Sequence, residues 1–84
     1  MKLIWTIQAL EDYLYWQTND KSMLKKINSL IKETQRTPFE GIGKPEPLRF
    51  EFAGKWSRRI NAEHRLVYEF KNDDLIIFQC RYHY

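Results

Sequence analysis

Trp56-Ser57-Arg58-Arg59-Ile60, Asn61-Ala62-Glu63-His64, Arg65-Leu66-Val67-Tyr68-Glu69-Phe70 is the stretch that decides the fold. Two runs rich in aromatic and branched residues flank a polar four-residue connection, the pattern of a β-hairpin. Downstream, Asn72-Asp73-Asp74 supplies a tight turn into Leu75-Ile76-Ile77-Phe78, whose consecutive apolar positions predict a strand in the middle of a sheet, buried on both faces. Upstream, Leu48-Arg49-Phe50-Glu51-Phe52 alternates apolar and charged residues, which predicts a half-buried antiparallel strand closed by Gly54.

Towards the N-terminus the period changes. Leu3-Ile4-Trp5 predicts a short first strand. Ile7, Leu10 and Leu14, with Ala9, Tyr13 and Trp16, recur at helical spacing and predict a helix over residues 7 to 17 with one broad buried face. Asp20 is placed to cap a second helix in which Met23, Leu24, Ile27, Leu30 and Ile31 form one stripe, and Thr37-Pro38 ends it. The resulting order, β-α-α-β-β-β-β, is a single α+β domain over residues 1–84, with two helices on one face of a mainly antiparallel sheet and the other face free for a site.

Eighty-four residues suffice for one modest core. A composition that is 43% hydrophobic and 30% charged is that of a folded protein. One cysteine, Cys80, excludes an internal disulfide and points to the cytoplasm, and one Cys with two His is too few for a structural zinc site. No run is long enough for a signal core or a membrane span. The net charge of +3 concentrates in residues 44 to 65, where Lys44, Arg49, Lys55, Arg58, Arg59 and Arg65 outnumber Glu46, Glu51 and Glu63. That field suits a polyanion such as nucleic acid, or is simply a solvated basic face.

Five of the six Gly and Pro residues lie between Thr37 and Pro47, so this loop is stiff. Glu46, held between Pro45 and Pro47, is either a presented general base or a solvated loop carboxylate. The chain ends in Cys80-Arg81-Tyr82-His83-Tyr84, read as an extended tail with Arg81 and His83 on one face and Cys80, Tyr82 and Tyr84 on the other. There is no phosphate-cradling glycine loop, no metal cluster and no nucleophile paired by motif with a histidine. What remains is a carboxylate, a histidine and many arginines, a set able to cleave RNA without metal or cofactor.

Thr37-Pro38-Phe39-Glu40-Gly41, Gly43-Lys44-Pro45-Glu46-Pro47-Leu48, Trp56-Ser57-Arg58-Arg59-Ile60, Glu63-His64-Arg65-Leu66-Val67-Tyr68 and the terminal Tyr82-His83-Tyr84 together closely resemble the YoeB/Txe toxins of bacterial toxin–antitoxin pairs. The resemblance runs end to end. It implies a RelE-like fold and a ribosome-dependent mRNA endonuclease, with the 70S ribosome carrying mRNA as partner, a YefM-like antitoxin as inhibitor and a homodimer as assembly. It implies Glu46 as general base, His83 as general acid, Arg65 on the scissile phosphate and Tyr84 orienting the substrate. Arg59 matches an arginine expected to contact RNA, Arg49 stands where lysine is expected, and Lys44 and Arg58 read as generic phosphate contacts. His64 reads as a turn residue and Cys80 as a core side chain. A non-catalytic ParE-like toxin and a plain RNA-binding translational repressor are the other readings of such a fold; neither has a chemical use for Glu46 together with His83.

Overall fold

A computed structural model describes residues 1–83, so expectations for Tyr84 lie outside the described residues. The elements follow the order read from the sequence: β1 (Leu3–Trp5), α1 (Ile7–Asn19), α2 (Lys21–Arg36), β2 (Glu46–Pro47), β3 (Trp56–Arg59), β4 (Arg65–Lys71) and β5 (Asp74–Gln79). The sheet order is β1-β5-β4-β3-β2, with β1 parallel to β5 and every other pair antiparallel.

Caps set the helices. Thr6 Oγ1 accepts from the Ala9 amide and donates to Phe78 O, tying the start of α1 to the sheet. Asp20 does two jobs: its amide closes α1 on Trp16 O, and its carboxylate accepts from the Ser22 and Met23 amides to open α2. The apolar stripe of α2 packs as its spacing requires, with Met23, Ile27, Leu30 and Ile31 buried.

On α1 the buried face differs from the expected one. Ala9, Asp12 and Trp16 face the sheet, whereas Ile7, Leu10 and Leu14 are exposed, Ile7 at 77%. Two apolar stripes compete on this helix, and polar anchors choose between them. Trp16 Nε1 donates to Cys80 O at 2.8 Å, and the Asp12 carboxylate accepts from the Cys80 amide at 3.0 Å. Neither bond forms if the helix is rotated to bury Leu10 and Leu14.

Three strand expectations also need correction. Residues 48–52 are not a strand: pairing with β3 is confined to Glu46–Pro47, and Phe50–Phe52 forms a 3-10 turn. The chain must reverse between Pro47 and Trp56, so alternation cannot continue there; Leu48 is buried while Phe50 points out. β5 lies inside the sheet as expected, between β1 and β4, but Leu75 and Ile77 are buried on the helix side while Ile76 and Phe78 are only half-buried. The tail is not extended either, because pairing stops at Gln79 and Tyr82 adopts a left-handed φ of 66°.

Arg58 is fully buried, not a phosphate contact. Alternation sends it to the helix side of β3, where its guanidinium reaches the loop after α2. It donates to Tyr68 Oη, to Ile42 O at 3.0 Å, to Glu40 O at 2.8 Å and to Thr37 O. Tyr68 Oη in turn donates to Pro38 O at 2.6 Å. Two side chains from β3 and β4 thus satisfy four carbonyls of one loop. Arg58→Leu removes the guanidinium donor from Thr37 O, Glu40 O and Ile42 O, leaves Tyr68 Oη without its Nε partner, and should lower stability by about 3 kcal/mol or more in urea unfolding. Arg58→Lys should restore little, since an ammonium cannot fork to the same acceptors. The exposed neighbour change Arg59→Leu should be near neutral, within about 0.5 kcal/mol.

Candidate active site

Register assembles the site. Glu46 on β2 pairs with Ser57 on β3, Ser57 pairs with Val67, and Arg59 pairs with Arg65 on β4. Alternation then sets Glu46, Ser57, Arg59 and Arg65 on one face, opposite the face from which Arg58, Leu66 and Tyr68 enter the interior. The Arg59 amide also donates to Gly43 O at 2.6 Å, drawing the stiff loop alongside β3 and Lys44 to the same place. Gly43 has φ +83°, and a Cβ there would stand 3.1 Å from Arg58 Cβ, Arg59 O and Leu30 Cδ2. Only glycine allows that approach.

His83 arrives from the C-terminal segment, which folds back over the start of β4. The Arg65 amide donates to Tyr82 O at 3.0 Å, and the Tyr82 amide donates to His64 Nδ1 at 2.7 Å. His64 is buried, with its ring edge-on to Trp16 at 4.8 Å between centroids. It is more than a turn residue, since its Nδ1 is the acceptor that holds the tail in place. Arg81 lies over the ring of Tyr15 at 3.4 Å and that of Tyr82 at 4.5 Å, a second clasp on the same segment.

The outcome is a cleft of about 230 Å³ lined by Lys44, Glu46, Ser57, Arg59, Arg65 and His83. Three cationic side chains face one carboxylate and one imidazole. Arg65 is largely buried, and its Nη1 donates to Asn61 O at 2.8 Å and His64 O at 3.1 Å, so its guanidinium is oriented before any substrate arrives. Arg59 and Arg65 stand directly opposite each other, a like-charge pairing that costs stability and that an anion between them would offset. A phosphodiester fits this description.

Of the residues singled out from sequence, Lys44, Glu46, Arg59, Arg65 and His83 come together here. Arg49 does not line this cleft; it lines a neighbouring groove over residues 46–52. Ser57 was not anticipated, because its place opposite Glu46 depends on a register that the alternation pattern does not report. The tail anchors Asp12, Trp16 and His64 were not anticipated either, although a carboxylate within an apolar helical pattern is a signal that could have exposed the first. Among the described residues there is no group of three or more His, Cys, Asp and Glu side chains arranged to hold a metal ion.

Cys80 is buried against α1, and its thiol is pushed up to about 12, by burial first and then by the nearby Asp12 carboxylate. It is no nucleophile at neutral pH. An unfolded thiol ionises near its ordinary value of 9.0, so this raised folded value favours the native state below pH 9 and loses that contribution as pH rises towards about 12. Tyr68 is also raised by burial, against the pull of Arg58, and adds to the same alkaline loss. Cys80→Ala should therefore show a shallower loss of stability above pH 9 than the parent chain, in urea titrations at stepped pH. In the parent, the thiol should react with Ellman's reagent only after unfolding.

The chain matches the family described as YoeB-like toxin of bacterial type II toxin-antitoxin system over residues 5–84. It is 63% identical to Toxin YoeB of Escherichia coli strain K12, with all of both chains covered. A solved YoeB/ParE toxin from Agrobacterium tumefaciens superposes with a TM-score of 0.95 at 53% identity, covering both chains in full. A heterotetrameric YoeB-YefM toxin-antitoxin complex and a YoeB dimer, both from Staphylococcus aureus, superpose at 0.92 with 50% identity, over 100% of this chain and 98% of those. The two helices on a mixed five-stranded sheet are the RelE-like α+β arrangement shared with more distant toxins. With a family match over almost its whole length, the chain belongs to the YoeB-like toxins of bacterial type II toxin–antitoxin systems.

Proposed function

We propose that this toxin is a ribosome-dependent mRNA endonuclease that cleaves translated message by acid–base attack of the ribose 2′-hydroxyl, without metal. The observation that carries the reading is the cleft in which one carboxylate, Glu46, and one imidazole, His83, share a wall with Lys44, Arg59 and Arg65. Glu46 takes the 2′-hydroxyl proton and the freed oxygen attacks the adjacent phosphorus. Arg65, preset by the turn carbonyls, and Arg59 carry the charge that builds on the phosphorane oxygens. His83 protonates the departing 5′-oxygen as its bond to phosphorus breaks, leaving a 2′,3′-cyclic phosphate and a 5′-hydroxyl. Lys44 and Arg49 contact the RNA backbone on either side, and Tyr84 orients the substrate.

The partners follow. The message is presented in the decoding site of the 70S ribosome. A YefM-like antitoxin, acidic and partly disordered when free, covers the basic sheet face and with it Glu46 and His83; the YoeB-YefM complex of the S. aureus relative supports an antitoxin as partner. The S. aureus dimer supports a homodimer, and the exposed apolar residues of β1 and α1 support burial against some partner. No helix among the described residues is long and apolar enough to cross a membrane, and the reading puts the toxin in the cytoplasm with its ribosomes.

Removing a general acid or base should cost roughly 10² to 10⁴ in rate. His83→Gln and Glu46→Ala should each abolish growth arrest and reduce cleavage of ribosome-bound mRNA by that order, while unfolding like the parent. Transcript ends mapped after brief induction should fall inside translated codons; a ParE-like poison or a repressor would leave no such cuts, and intact cleavage in either variant would refute the assignment. EDTA added to pre-assembled complexes should leave the cleavage step unchanged once ribosome integrity is controlled, whereas a loss restored by added divalent ion would show that the chemistry uses metal.

A further inference from the structure

Beside the cleft lies a larger groove, about 720 Å³, lined by residues 46–52 and sharing Glu46 with it. Its most unusual member is Phe50. The ring is 86% exposed, and the backbone beneath it adopts φ 58°, a left-handed conformation that an aromatic residue seldom takes. The Ala53 amide donates to Phe50 O and the Phe52 amide to Arg49 O, so the turn is closed and its backbone sends the Phe50 side chain outward. Exposure and conformation both cost the folded state, and asparagine or glycine would suit the backbone better. Outliers of this kind collect where a side chain must be presented to a ligand.

Charge narrows the ligand. Arg49 meets the backbone at the groove's edge, and the remaining charges of the lining, Glu46 and Glu51, make a poor seat for a further phosphate but an acceptable one for a neutral heterocycle. We infer that this groove is a nucleobase subsite, with Phe50 as the platform on which an unpaired mRNA base flanking the scissile phosphodiester stacks. The inference rests on the RNA-cleaving reading above and adds to it a subsite in which the base, not the backbone, is gripped. Continuity supports it: the cleft and the groove meet at Glu46, so a strand whose scissile phosphate lies between Arg59 and Arg65 has a way on into the groove. Stacking on an aromatic ring tolerates any base, so Phe50 contributes binding without dictating the codon.

The test uses full-length toxin added to 70S ribosomes programmed with mRNA that carries a 2′-methoxy block at the scissile sugar and 2-aminopurine as the 5′ or the 3′ neighbouring base. Stacking quenches this fluorophore. The parent toxin should quench it at one of the two positions, Phe50→Trp should quench it comparably, and Phe50→Asn should not. On unblocked mRNA, Phe50→Asn should cut roughly tenfold more slowly at subsaturating toxin. Its thermal midpoint should nevertheless equal or exceed the parent's, because asparagine accepts the left-handed backbone. A quench that Phe50→Asn leaves unchanged, or no quench at either position, overturns the subsite; a parent toxin that fails to cut unblocked mRNA overturns the nuclease reading on which it stands.

Discussion

The buried guanidinium of Arg58 is the constraint on which the site depends. A charge with no access to water is tolerated there because each of its three nitrogens donates to a loop carbonyl or to the Tyr68 hydroxyl. The loop is shaped to offer them: Gly41 takes φ 112°, and a Cβ there would come within 2.8 Å of Glu33 Oε2 and 3.5 Å of Arg58 Nη1. Without Arg58, Thr37 O and Ile42 O would lose their side-chain donor, and Glu40 O would keep only Thr37 Oγ1. Cation and loop therefore specify each other, and the loop delivers Lys44 and Glu46 to the far face of the sheet. Successive residues of one strand divide the work, with Arg58 building the scaffold and Ser57 and Arg59 facing the cleft.

A second set of polar contacts does for His83 what Arg58 does for Glu46. Asp12 and Trp16 on α1 hold both backbone groups of Cys80, while His64 and the Arg65 amide hold both backbone groups of Tyr82. Chain ends ordinarily fray. Here Cys80 and Tyr82 are fixed by four hydrogen bonds, so the His83 imidazole inherits its place from α1 and the β3–β4 turn. The two catalytic candidates come from segments remote in sequence, and neither segment owes its position to the substrate. That is the preorganisation an electrostatic mechanism needs.

Element types were largely legible in the sequence because apolar period reports them directly: the α2 stripe, the Asp20 cap and the β3–β4 hairpin all follow from local pattern. What was not legible depends on partners distant in sequence. Nothing local says that Asp12 and Trp16 will turn α1 away from burying Leu10 and Leu14, or that Arg58 will be interior while Arg59 is not. The alternation over 48–52 misled because a chain reversal carries the same polar–apolar rhythm as a strand edge. The gathered site residues were named through family resemblance, whereas the place of Ser57 and the anchoring role of His64 arise only from strand register and tertiary packing.

The central claim is that the 2′-oxygen of the message is the nucleophile. It is tested most directly by single-turnover cleavage on programmed ribosomes, comparing mRNA with ribose and mRNA with 2′-deoxyribose at the scissile position alone. Loss of the cut at that bond, with toxin still bound and the ribose message cut to a 2′,3′-cyclic phosphate, is the result expected from Glu46 and His83 acting across a phosphodiester held by Arg59 and Arg65. Cleavage of the deoxy-substituted message at the parent rate would mean that water, not the ribose, attacks, and would contradict the account.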